Sequence, residues 1–292
     1  MIPRQPSRPF AFVEPARFTF NLRKGCRRAI DPLRPGRRHC PPGGTTAFYE
    51  EHPAVDSKGM SAAVAALVAG LLGIGSAQAQ AQVQVQVQAS GNMAMTSDYV
   101  WRGSSQAAGD PAVQAGAKLA LPSGLYASVW GSNVSFTPDI GARSEFDLVA
   151  GWSGAVAQDW SLDANLTRYL YPGTGRVLDW TELGATLSWK QRAWLQLAHS
   201  SDALAGGRRG TYAQLGGRLP LNERFRLEAA VGHYWLADAQ GPDYLHGQLS
   251  AIATLAPAWE LRATVHDTDN AARRLFPGNA GGRWELALQG SF

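Results

Sequence analysis

Cysteine is almost missing from this chain. Its only two, Cys26 and Cys40, lie near the start, so no disulfide can staple anything after residue 40. Charge is scarce as well, at 17% of 292 residues. No apolar run reaches the roughly 20 residues that a membrane-spanning helix needs. The charge is also unevenly placed: 11 Lys+Arg stand against 5 Asp+Glu before residue 80, leaving 16 against 18 from Gln80 to Phe292. The basic pI near 9.2 therefore belongs to the leader, and nucleic acid is excluded as a partner. Metal-ligand spacing is lacking too. The Asp267-Thr-Asp269 pair has no further ligand at a suitable distance in sequence, and no cofactor is expected.

The leader has its own anatomy. Residues 1–59 are rich in Arg and Pro without apolar periodicity, a composition that cannot offset the entropy of ordering. We expect translation to begin near Val55 or Met60, which makes 1–59 a non-native or disordered extension. Residues 60–81 read as a secretory signal peptide, with an apolar core from Ala62 to Ile74 and small residues at Ala77, Ala79 and Ala81 for cleavage. Residues 82–90, mostly alternating Gln and Val, read as a tether.

From Gly91 the hydrophobic period is two. Trp284, Leu286, Leu288 and Phe292 share one face, while Arg283, Glu285 and Gln289 share the other. Leu261, Ala263 and Val265 alternate in the same way with Glu260, Arg262 and Thr264, and Phe146 and Leu148 with Glu145 and Asp147. The pattern predicts twelve strands, over 91–102, 111–121, 124–133, 143–154, 160–171, 179–189, 192–200, 210–219, 225–235, 244–255, 259–267 and 282–292. Long and short connections alternate between them. Strands of about 9–11 residues cross a tilted bilayer, and outer-membrane barrels have short periplasmic turns and longer outer loops. The fold class is therefore all-β, an antiparallel up-and-down transmembrane β-barrel over 91–292. Closure supplies the rigidity that disulfides give small secreted domains, because every backbone group must find a partner in hydrocarbon. Trp160, Trp180, Trp189, Trp259 and Trp284 fall at predicted strand ends, as in an aromatic girdle. Terminal Phe292 has the phase of a signal for the barrel-assembly machinery, although Gly290 stands where a larger apolar residue is usual.

Several stretches carry a resemblance. They are Gly91-Asn-Met-Ala-Met-Thr-Ser-Asp-Tyr-Val-Trp-Arg-Gly-Ser-Ser-Gln106, Asp110-Pro-Ala-Val-Gln-Ala-Gly116, Ser123-Gly-Leu-Tyr-Ala-Ser-Val-Trp-Gly-Ser-Asn133, Glu145-Phe-Asp-Leu-Val-Ala-Gly-Trp-Ser-Gly154, Tyr169-Leu-Tyr-Pro-Gly-Thr174 and Asp179-Trp-Thr-Glu182. Together they are similar to the TorF porin family, densely over 91–189 and more loosely over 192–292. The resemblance implies an outer-membrane porin architecture more firmly than any solute, and it brings no catalytic motif.

With apolar faces toward lipid, the inward set is Asp98, Arg102, Lys118, Glu145, Asp147, Asp163, Glu182, Arg218, Arg226, Glu228, Glu260, Arg262, Arg283 and Glu285. Four acids (Glu145, Asp147, Asp163, Glu182) would form one wall, with most bases across the bore. Opposed charged walls would set solute and ion preference in a wet lumen. Twelve strands lie between a filled bore and a clear channel, however, and Arg226/Glu228, Glu260/Arg262 and Arg283/Glu285 could pair and close it. Both readings stand at this point.

The implied function is an outer-membrane channel for passive diffusion of small polar solutes or ions. The alternatives are a closed structural or adhesive barrel acting through its loops, or, less favoured, a lipid-modifying enzyme. The enzyme would need a Ser–His pair, and adjacent His199 and Ser200 must point to opposite faces of a strand. His199 and Ser201 share a face but lack an orienting partner. The 268–281 loop either folds inward as a constriction or presents Arg273 and Arg274 to lipopolysaccharide phosphates. Arg168 falls on the lipid-facing phase, which requires either a place near the outer rim or a register shifted by one. Outer-membrane lipid, lipopolysaccharide, the assembly machinery and small solutes are the expected partners, and the oligomeric state is left open.

Overall fold

The computed structural model describes residues 86–137, 139–175, 177–237 and 241–292. The expected extension, signal peptide and start of the tether lie outside the described residues. Fourteen strands follow in order: β1 (Gln88–Thr96), β2 (Val100–Trp101), β3 (Ser104–Ser105), β4 (Ala112–Ala120), β5 (Leu125–Asn133), β6 (Ser144–Ala157), β7 (Trp160–Leu170), β8 (Trp180–Trp189), β9 (Ala193–Ser200), β10 (Gly210–Pro220), β11 (Phe225–Leu236), β12 (Tyr244–Ala256), β13 (Trp259–Thr268) and β14 (Arg283–Ser291). A short helix, α1 (Asn270–Leu275), lies between β13 and β14. Twelve strands form a closed antiparallel barrel in sequence order, sealed where β1 pairs with β14. The other two, β2 and β3, form a separate ribbon.

The connections alternate in length. Turns at 121–124, 158–159, 190–192, 221–224 and 257–258 mark one end, the turn side. Loops at 97–111, 134–143, 171–179, 201–209, 237–243 and 269–282 mark the other, the loop side. This is the asymmetry of an outer-membrane barrel. The two-residue turn of Lys190 and Gln191 has φ of 50° and 57°, the doubly positive conformation that matches hairpin twist.

Period-two patterning becomes two faces. Met95, Val113, Leu183, Leu215, Leu249 and Leu286 all point outward and are more than half exposed. A continuous apolar belt of this extent has its physical rationale in contact with lipid. Trp160, Trp189 and Trp259 stand outward at the turn side, and Trp235 and Trp284 at the loop side. Trp180 departs from the girdle expectation. It is 1% exposed and faces the lumen, stacked on Tyr169 at 4.9 Å between ring centroids. Its neighbour Thr181 has the outward phase, so the alternation itself turns the indole inward.

Arg168 is outward, near the loop-side end of β7. It donates to Thr181 Oγ1 at 3.1 Å and lies 3.8 Å from Asp179. The rim position is therefore the right one, and the register needs no shift. The first strand differs from its expected bounds. It begins at Gln88, within the expected tether, because the ladder with β4 extends to Gln88↔Ala120. It ends at Thr96, where Ser97 N donates to Leu286 O and the chain turns inward. At the seam, Gly91 and Phe292 exchange two backbone hydrogen bonds, of 2.7 and 3.0 Å. The Phe292 ring packs over Gly91, where a Cβ would lie 2.5 Å from it.

Candidate functional site: a lumen closed on one side and hollow on the other

The buried core lies inside the barrel, in its loop-side half. Strand residues Trp130, Tyr169, Trp180, Tyr212, Tyr234 and Tyr244 meet Tyr99 and Trp101 from the first loop and Leu275 and Phe276 from the last. Residues 97–111 thus enter the bore, carrying the β2–β3 ribbon, and Gln106 and Ala107 are fully buried. The last loop docks on them. Ser104 bridges to Ala280, and Ser105 N donates to Asn279 O at 2.8 Å. Helix α1 is capped by Asp269, which accepts from Ala272 N at 2.9 Å. It buries Ala272 and Leu275 while Arg273 and Arg274 stay exposed. The inward packing of loop 269–282 and the outward display of its arginines therefore coexist.

Arg102 sits at the ribbon tip with φ of 39°, followed by Gly103 at 82°. That pair of left-handed residues makes the tight turn. A Cβ on Gly103 would strike Thr268 Cγ2 and lie 2.7 Å from His246 Cβ, so only glycine fits. The Arg102 guanidinium donates to both Glu182 oxygens at 2.8–3.0 Å. Tyr169 Oη also donates to Glu182, at 3.3 Å. The guanidinium carbon lies 3.8, 4.3 and 4.7 Å from the ring centroids of Tyr212, Trp101 and Tyr234. A planar, weakly hydrated cation suits this setting as an ammonium would not. Tyr212 Oη in turn meets His246 Nε2 at 2.8 Å.

The remaining charged residues of the inward set all lie on the lumen side, in distinct groups. Asp98 accepts from Arg283 at 2.9 Å and from Ser105 Oγ, tying the first loop to β14. Glu285 accepts from Thr96 Oγ1 at 3.0 Å and meets His266 Nε2 at 2.8 Å, so it does not pair with Arg283. Glu145 and Asp147 are 0% and 2% exposed, covered at the loop side, with Tyr99 Oη 3.5 Å from Glu145. Near the turn side, Glu228 gathers Arg218, Arg226 and Arg262 at 2.7, 3.1 and 2.9 Å. Arg226 also holds Glu260 at 2.6 Å with both terminal nitrogens. Of the three anticipated pairs only Arg226/Glu228 forms as such. Glu260 and Arg262 are taken by Arg226 and Glu228, two strands away, while Arg283 is taken by Asp98 of the first loop and Glu285 by Thr96 and His266 on the adjacent strands.

Lys118 and Asp163 face the open part of the lumen. The Lys118 ammonium lies 3.6 Å over the Tyr126 ring, and Asp163 accepts from Tyr126 Oη at 2.7 Å and Asn165 Nδ2 at 2.9 Å. They line a cavity of about 120 Å³ that reaches from Glu182 and Tyr169 down to Trp194 and Arg218. Its other lining residues are mainly small or polar, among them Ser153, Ser161, Thr186 and Gln196. The lumen is thus packed above the Arg102–Glu182 pair, and below it this cavity lies beside the Glu228 charge cluster.

Sequence reasoning missed Trp101, Tyr212, Tyr234, His246 and Trp194 as lumen residues. For those on barrel strands the phase is readable, since Tyr212 alternates with Thr211 and Trp194 shares the phase of Gln196, whereas Trp101 lies in the inserted ribbon and has none. A place at a strand end does not by itself make a girdle residue; for Trp180 the phase decides, and it points inward. His199 Nδ1 meets Thr211 Oγ1 at 2.8 Å on the outer face, while Ser200 Oγ donates inward to Thr181 O at 2.6 Å. The two side chains do not meet. Among the described residues, no cluster of three or more His, Cys, Asp or Glu is placed to hold a metal.

A family profile covers most of this barrel. The chain belongs to the Gcw_chp family, described as bacterial proteins of unknown function, which matches residues 78–286. No curated protein matches it. Among solved structures it is similar to the KdgM porin, at 9% identity and TM-score 0.46, covering 70% of this chain and 99% of that one. It is also similar to the NanC porin (12%, 0.44, 70% and 99%) and to the COG4313 outer membrane channel from Pseudomonas putida F1 (12%, 0.43, 73% and 99%). The barrel assignment rests on the strand pairing of this Gcw_chp chain, and likeness at that level adds nothing about solutes.

Proposed function

We propose that this chain is a porin-like outer-membrane channel for passive diffusion of small polar solutes or ions, with the inserted first loop as its constriction. One observation carries the reading: the polar cavity in the turn-side lumen is lined at its upper end by Glu182, the partner of Arg102. A barrel built only as a wall gains nothing from lining an interior cavity with hydroxyls, amides and charges, which are costly unless hydrated or paired. The apolar belt and the loop asymmetry support an outer-membrane location. Residues 60–81 would direct export, Phe292 would be read by the assembly machinery, and Arg273 and Arg274 would meet lipopolysaccharide phosphates. The TorF resemblance over 91–189 agrees with this reading, and no catalytic activity is assigned.

The second reading is a closed structural or adhesive barrel, favoured by the buried aromatic cluster that fills the loop-side half. Conductance in a planar bilayer separates the two. Protein purified in detergent and shown to be heat-modifiable on gels should give discrete current steps. A folded, inserted barrel that passes no current would remove the channel reading.

A further inference from the structure

The turn-side cavity has a wall on β9 and β10 more specific than passive conduction requires. Trp194 stands opposite Gly216 in the β9–β10 ladder. A Cβ at Gly216 would collide with the indole ring, so the ring takes the space that only glycine leaves open. Trp194 also lines the cavity. Trp194 Nε1 donates to Gln214 Oε1 at 3.2 Å, which restrains the ring. Arg218, two residues beyond Gly216 on the same strand, lines the same cavity with its side chain 27% exposed. Among the described residues Glu228 engages the guanidinium through Nε, which leaves its terminal N–H groups for another acceptor. Asn165, Thr186 and Gln196 add amide and hydroxyl groups to the lining.

A preformed aromatic plate, a half-used guanidinium and convergent amides are the parts of a small-molecule site. The plate suits the C–H face of a ring. The fork suits a carboxylate, which it can bind with two parallel hydrogen bonds. Amides and hydroxyls suit ring hydroxyls. We infer that this cavity is a subsite for a sugar acid, with the sugar ring stacked on Trp194 and its carboxylate on Arg218. The inference rests on the channel reading and deepens it by naming the class of solute.

Calorimetric titration of the detergent-purified protein with sodium D-glucuronate tests it, with D-glucose and benzoate as comparators. Glucuronate should bind at least tenfold more tightly than either comparator. Trp194→Ala should abolish that binding and Trp194→Phe should restore part of it. Arg218→Gln should reduce glucuronate to the level of glucose. Heat-modifiability on gels verifies that each variant is folded. Undetectable glucuronate binding, equal affinity in Trp194→Ala, or tighter binding of benzoate would each overturn the assignment. Calorimetry needs no ion flow, so the two proposals fail separately. A conducting barrel that ignores glucuronate loses only the subsite, and a non-conducting barrel that binds it loses only the channel.

Discussion

Arg102 and Glu182 join the tip of the first loop to the wall of β8 through a two-pronged ion pair whose side chains are 3% and 5% exposed. The loop is also tied by Asp98 to Arg283 and by Ser105 to the last loop. Removing one partner of a buried pair typically costs about 3–5 kcal/mol, because the other charge is left uncompensated. Glu182→Gln should therefore loosen the ribbon while the twelve-strand ladder stays closed. Single-channel conductance should rise at least twofold, and amide exchange over 97–111 should speed up with the barrel strands unchanged. An unaltered current with a visibly mobile loop would show that the constriction lies elsewhere.

Gly103 tests the same turn from its backbone. Its φ of 82° and the Thr268 and His246 side chains beside it leave no room for a methyl group. Gly103→Ala should destabilise the loop seat by about 1–3 kcal/mol, the usual cost of overpacking. Urea-dependent fluorescence of Trp101 in a background whose other tryptophans are replaced by phenylalanine would measure it. A midpoint matching the parent would mean the ribbon adjusts freely.

Why the barrel was legible from the sequence and the plug was not follows from how each is encoded. Outward Leu249 and Leu286 and inward Ser250 and Glu285 alternate strictly, and a one-residue slip would expose polar groups to lipid. Loop spacing then supplies direction. The segment from Ser97 to Pro111 has no such period. Its course depends on Glu182 and Arg283, which lie 80 and 185 residues away from their partners Arg102 and Asp98. The inward charges were found because they share a phase. Their full pairing is not encoded by sequence proximity, since Arg226 holds its neighbour Glu228 and also reaches across β12 to Glu260.

The apolar belt gives a depth-dependent prediction. Leu249 stands at mid-strand on β12, 54% exposed to the surroundings of the barrel. Arginine at the midplane of a lipid-facing strand costs ~2–4 kcal/mol, falling toward zero near an interface. Leu249→Arg should lower folding stability in lipid vesicles by that amount. Arg168, already on the outer face near the rim, should cost little relative to Arg168→Leu. Equal effects at both positions would contradict the membrane orientation.

One loop is poised to resist acid. On the 134–143 loop, the Arg143 guanidinium donates to both Asp139 oxygens at 2.8 Å, and Gly141 N donates to Oδ1 at 2.9 Å. The hydrogen bonds from Arg143, then that from Gly141, hold the Asp139 carboxyl below the usual carboxylate range. A lowered folded-state value means the contribution is present above the ordinary aspartate value near 3.9 and is lost only as pH falls through the lowered one. Acidification from pH 7 to about 4 should therefore leave this loop's amide exchange unchanged once corrected for intrinsic rate. Asp139→Asn should open the loop at neutral pH. Loop opening in the parent between pH 6 and about 5, where an ordinary aspartate is still ionised, would show that Asp139 does not hold it.

Ion preference should follow the charges that border open space. Glu145 and Asp147 are covered, whereas Lys118 and Asp163 line the cavity. Lys118→Gln removes a cation from the lumen wall and should shift reversal potential toward cation preference, while Asp163→Asn should shift it the other way. Rings of fixed charge act on permeant ions through water at short range, so both shifts should shrink as salt rises above the regime where the Debye length is ~10 Å. Glu145→Gln, by contrast, should disturb the seat of the first loop near Tyr99 and change conductance more than selectivity. The opposite ranking, with Glu145 controlling selectivity and Lys118 silent, would place the ion path along β6 at the loop side.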